Sequence, residues 1–105
     1  MPLYTGLYNY HDNEETRQKR AALADKHFAF VEGLVAKDLI VLATVRGEDD
    51  SPGGEIVIKA PSREAALELF KNDPNSQAEL GNWVLTEFRP VAGSLMSAFA
   101  DIADA

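Results

Sequence analysis

One histidine interrupts an apolar helical stripe. In "LADKHFAFVEGL" the residues Leu23, His27, Phe30 and Leu34 share a face at helical spacing. Imidazole titrates near neutrality, so it can take and return a proton at pH 7. His27 is therefore either the working group of a pocket or a core histidine bonded to backbone, and spacing alone leaves both open. Other side chains offer weaker chemistry. Tyr8 can line a cavity or simply pack. Arg20, two turns before His27, can hold an anionic substrate or sit in solvent. Thr44 can hydrogen-bond a ligand or merely end a strand, and Ser62 can do so or cap a helix. Asp73 before Pro74 reads as a helix-ending turn. Trp83 reads as core or dimer contact, and His11 as solvated.

Several chemistries are excluded. The chain has no cysteine, which rules out disulfides, thiolate zinc sites and cysteine nucleophiles. Its two histidines have no partner at metal-ligand spacing, so no metal is expected. "GEDDSPGG" is acidic and lacks the Walker lysine and the Rossmann glycine spacing. No Gly-x-Ser-x-Gly elbow occurs. The expectation is chemistry without a cofactor.

These groups need a scaffold. A chain of 105 residues with 46% apolar residues predicts one domain with a real core. Seventeen acidic against ten basic residues disfavour nucleic acid and anionic membrane surfaces. The N-terminus does not read as a signal peptide, and no apolar run reaches the length of a membrane span. A soluble cytoplasmic protein is the expectation.

The pattern along the chain predicts a strand over 2–10 and a helix running to Lys37, opened by an Asp12–Glu15 capping box. "DLIVLATV" follows as a strand, with Ile40 and Leu42 on one side and Leu39, Val41 and Val45 on the other. "RGEDDSPGG" is a loop and "EIVIKA" a strand. "PSREAALELFKNDP" is a helix capped by Ser62, with Ala66, Leu69 and Phe70 inward. "NSQAELGN" reads as irregular and "WVLTEFR" as the last strand. A short C-terminal helix carries Leu95, Phe99 and Ile102 on one side.

The order β-α-β-β-α-β predicts an α+β, ferredoxin-like fold: a four-stranded antiparallel sheet with two helices on one face. Strand 2 is apolar on both sides and lies at an edge, a liability in water. A second copy covering the open face would make a homodimeric α+β barrel. The tail, drawn over 92–105, is expected to be an assembly element that could build a higher oligomer.

Taken together, these segments resemble the YciI-like family. The resemblance rests on "LYTGLYNY", the long helix with Arg20 and His27, "DLIVLATV", and "GGEIVIKAPSREAALELFKNDP". It places the domain over residues 1–91. His27, Ala43, Asp73-Pro74 and Gly81 match the family pattern. Ala24, Asp25, Asp38, Thr44 and Asn75 stand where it has arginine, proline, glycine, glycine and an aromatic. The resemblance implies a small dimeric barrel that binds a small-molecule ligand. It also implies a His27–Asp73 dyad, the carboxylate fixing the tautomer of the imidazole. The corresponding activity is acid–base elimination or isomerisation, of lyase or isomerase type. Two alternatives stand beside it: a non-catalytic ligand-binding or protein-interaction module, and a monooxygenase- or EthD-like dimeric barrel.

Overall fold

The computed structural model describes residues 1–45 and 54–103, with side chains as far as Phe99. The expected loop "RGEDDSPGG" lies, apart from Gly54, outside the described residues. Eight elements follow in order: β1 (Leu3–Tyr10), α1 (Glu14–Ala36), β2 (Ile40–Ala43), β3 (Glu55–Lys59), α2 (Arg63–Lys71), α3 (Pro74–Gln77), β4 (Gly81–Phe88) and α4 (Met96–Ala103). All strand pairs are antiparallel, in the order β2-β3-β1-β4. This is the α+β, ferredoxin-like arrangement that the element order predicts. Among the described residues no helix is long and apolar enough to cross a membrane.

Local chemistry sets the element ends. Asn13, not Asp12, caps α1. Asn13 has the extended backbone an N-cap requires, and its side chain accepts a 2.7 Å bond from the Thr16 amide. The expected Asp12–Glu15 box does not form, the cap itself moves by one residue to Asn13, and Asp12 pairs instead with Arg17 at 3.0 Å. At the other end Asp38 adopts φ 56°, the left-handed conformation. Its amide bonds Val35 O and the Leu39 amide bonds Leu34 O, a Schellman turn. Aspartate enters this region more easily than most residues, which suits Asp38 to a turn that otherwise favours glycine. Its carboxylate also pairs with Lys59 at 3.0 Å.

Two further expectations need correction. First, the register of β2 shifts between Ile40 and Leu42. Strict alternation puts those residues on one face, but the irregularity separates them. Ile40 pairs with Ile58 and packs on the helix-side core, whereas Leu42 pairs with Val57 on the open face and is 53% exposed. Second, "NSQAELGN" contains the one-turn helix α3. Pro74 opens it and the Asp73 side chain caps it by accepting from the Asn75 amide. Such a short turn has no periodicity for a sequence pattern to show.

The core sits between α2 and the sheet. Phe70 and Ala66 from α2 meet Tyr4, Ile56, Ile58 and Leu85, all buried. Ser62 caps α2 as expected, accepting from the Ala65 amide at 3.1 Å. α1 is held differently: only Thr16 and Leu34 of its 23 residues are buried, and Phe28 and Val35 are exposed. On the open face of the sheet, Phe99 of α4 packs on Phe88 at one end, with ring centres 5.7 Å apart.

Gly6 is a close-packing point. A Cβ there would lie 2.6 Å from two ring carbons of Phe70 and 3.1 Å from Trp83. Phe70 has no exposed surface into which to retreat. Gly6→Ala is therefore expected to destabilise the fold by about 1–3 kcal/mol, the usual range for overpacking. Urea denaturation followed by circular dichroism checks this; an unchanged midpoint would show that the ring moves freely.

Candidate active site

α1 stands off the sheet because a cavity of about 400 Å³ lies between them. That volume suits a small organic molecule. The sheet contributes Tyr8, Tyr10 and Trp83 to its walls, and α1 contributes Ala24, His27 and Val31. On α1 these positions follow the three-and-four spacing of one helical face. On β1, Tyr8 and Tyr10 are two apart and so share a face. Most of the lining is apolar, and the polar groups converge from few residues.

His27 and Asp73 meet at this cavity. His27 Nδ1 lies 2.8 Å from Oδ2 and 3.0 Å from Oδ1 of Asp73. An ionised carboxylate only accepts, so Nδ1 carries the hydrogen. In the neutral ring, Nε2 then holds the lone pair, and it has no partner among the described residues. The imidazole is partly open, whereas the Asp73 side chain is 2% exposed. Asp73 has two tasks at once: it caps α3 through the Asn75 amide at 2.9 Å, and it orients the ring. The helix-ending turn and the histidine contact thus coexist in one carboxylate.

Asn75 ties α3 to β1. Its carbonyl accepts from the Tyr8 hydroxyl at 3.1 Å and from the Leu80 amide at 3.2 Å. Its Nδ2 donates to the Tyr10 hydroxyl at 2.8 Å. The Arg20 guanidinium lies 4.6 Å from the centre of the Tyr10 ring, a cation–π contact on the cavity wall. Burial raises the pKa of Tyr8. Burial also raises that of Tyr10, and the nearby Arg20 charge partly opposes this. Both phenols are therefore neutral hydrogen-bonding groups at physiological pH.

The remaining candidates are placed as follows. Thr44 lines the cavity, but its hydroxyl already engages the backbone of Glu55. Trp83 stacks on Phe70 at 4.4 Å and donates to Ser76, so it serves core and cavity together. His11 is exposed. Tyr10, Ala24, Val31 and Asn75 were not singled out as lining residues. The first three are recoverable from the spacing of Tyr8 and His27 on their elements. Asn75 depends on α3, which has no such signal.

The YCII-related domain model matches residues 3–90. A search of curated proteins finds no match. One solved structure that resembles the chain is 5-chloro-2-hydroxyhydroquinone dehydrochlorinase from Burkholderia phenoliruptrix, in complex with 2,5-dihydroxybenzoquinone. It is 21% identical, with a TM-score of 0.67, and the alignment covers 84% of this chain and 95% of that one. At that identity the likeness speaks for the fold. The family match spans most of the chain and carries the assignment: this protein belongs to the YCII-related domain family.

Proposed function

We propose that the protein is a cofactor-independent acid–base enzyme acting on a small hydroxylated ring, with His27 as the proton-transferring group and Asp73 as its orienting partner. The observation that carries this reading is the His27–Asp73 contact of 2.8 Å beside an aromatic-walled cavity, with Nε2 unpartnered among the described residues. A related fold that acts as a dehydrochlorinase supports elimination as the reaction type. On a chlorinated hydroxyhydroquinone the balance is simple. Nε2 takes a hydroxyl proton, and imidazolium returns it to the ring carbon bearing chlorine. Loss of a second hydroxyl proton then expels chloride and leaves a hydroxyquinone, with no net redox change. Such a sequence needs one group that both accepts and donates near pH 7, which imidazole supplies. Arg20 on the cavity wall would favour an ionised ring oxygen, and Tyr8 would help to shape the pocket. Thr44 would contribute at the rim through its aliphatic surface.

The test is chloride release from 5-chloro-2-hydroxyhydroquinone, with quinone absorbance as a second readout. His27→Gln keeps a donor toward Asp73 and loses the base, so turnover should fall by about 10²–10⁴-fold. Asp73→Asn should lower turnover while binding of 2,5-dihydroxybenzoquinone persists. Wild-type turnover in His27→Gln would refute the assignment. Binding without turnover in the wild type would instead favour the ligand-binding module.

Assembly belongs to the same proposal. Leu42 and Val84 on the open sheet face are 53% and 50% exposed, and a second copy packed there would bury both. Sedimentation should give a dimer for the wild type and a smaller species for Val84→Lys. A wild-type monomer at micromolar concentration would refute the dimer.

The phenols give a pH dependence. Folding raises the pKa of Tyr8 and Tyr10 above the ordinary phenol value, so their stabilising contribution is complete below it. It is lost as pH rises through the folded values, above about pH 10. The urea midpoint should fall in that alkaline range, and fall less in Tyr10→Phe. An equal fall in the variant would show that Tyr10 is not the source.

A further inference from the structure

Asn75 stands where the family pattern has an aromatic, and its surroundings make the exchange informative. The residue is 2% exposed and lines the cavity. Its backbone is fully engaged: the amide donates to Asp73, and the carbonyl accepts from Tyr8 and Leu80. Its Nδ2 donates to the Tyr10 hydroxyl. Its Oδ1 is shielded from solvent and has no hydrogen-bond partner among the described residues. A buried carbonyl-type oxygen left unpaired costs roughly 1–3 kcal/mol, and folding alone gives no reason to keep one. The same residue's amide shares the Asp73 carboxylate with His27, so the backbone that carries this side chain is tied to that pair.

We infer that Asn75 is a specificity-determining residue: its Oδ1 accepts a hydrogen bond from a ring hydroxyl of the bound molecule. The inference rests on the proposal that the cavity takes small hydroxylated rings, and it names the group that reads the hydroxyl. In this orientation of the carboxamide Nδ2 donates to the Tyr10 hydroxyl, which leaves Oδ1 as the free acceptor. Arg20 in turn holds the Tyr10 ring. A ring whose oxygen is methylated offers no proton to Oδ1 and would leave it unpaired in the complex. Discrimination should therefore be between hydroxyl and ether, not between ring sizes.

Trp83 supplies the readout. It is the chain's one tryptophan and lines the cavity, so its indole N–H gives a single assignable resonance. Hydroquinone and 1,4-dimethoxybenzene are titrated under nitrogen into wild type, Asn75→Leu and Asn75→Ala, the second variant guarding against misfolding of the first. The wild type should favour hydroquinone by about five- to tenfold, the worth of one hydrogen bond to a buried acceptor. In the variants that ratio should approach one through loss of hydroquinone affinity, with ether affinity retained. A residue that only braces the fold would weaken both ligands together and leave the ratio unchanged. An unchanged ratio overturns the role of Asn75 while leaving the acid–base proposal standing. Failure of both rings to shift the Trp83 resonance in the wild type overturns the hydroxylated-ring reading of the cavity, and this inference with it.

Discussion

The Asp73 carboxylate is the constraint on which the site depends. Its side chain is 2% exposed, and a charge taken so far from water must find donors. It finds two, from different parts of the chain: the Asn75 amide two residues on, and His27 Nδ1 forty-six residues back. The first fixes the turn of α3. The second fixes α1 over the sheet at the level of the cavity. Through α3 the same carboxylate sets Asn75, which in turn receives Tyr8 and holds Tyr10. One buried charge thus organises two helices and a strand.

That arrangement accounts for the unequal burial of the helices. α2 packs directly on the sheet through Ala66 and Phe70, both without exposed surface. α1 cannot do so while His27 reaches Asp73 and the cavity stays open between them. It gains little apolar burial along its middle, where the His27–Asp73 contact holds it, and is held at its ends by Thr16 and Leu34 and by the turn at Asp38. A close-packed α1 would be more stable and would have no pocket. The energetic compromise lies where the chemistry is proposed, as is usual for a functional site.

Much of this was legible in the sequence, and the reasons for the exceptions are local. The strands and the two main helices follow from hydrophobic period and caps, signals that act within a few residues. The alternation rule failed at β2 because an irregularity beside Ile40 breaks the period of two. The cap rule failed at Asp12 because two adjacent short polar residues compete, and backbone conformation, not composition, selects Asn13. α3 was invisible because one turn has no period. His27 stood out as a polar interruption of an apolar face. Asp73 was connected to it only through the family pattern, since no local rule links residues so far apart. Asn75 was visible as a departure from that pattern, but its unpaired oxygen needed coordinates.

The departures also make physical sense as a set. At Ala24 the cavity wall has a methyl group where the family pattern has an arginine, which removes a charge and adds room. Arg20, one turn earlier on the same face, brings a guanidinium back to the wall, held on the Tyr10 ring. At Asn75 an aromatic becomes a carboxamide, which lowers the apolar area and adds an acceptor. The wall thus gives up one charge position and one ring and regains a charge and a polar atom at shifted places. Under the proposed acid–base role, a fixed His27–Asp73 pair within a wall of changed shape and polarity would suit a change of substrate within one reaction type. On that proposal, the residues that differ from the family pattern around the cavity would be the ones that carry the information about the ligand.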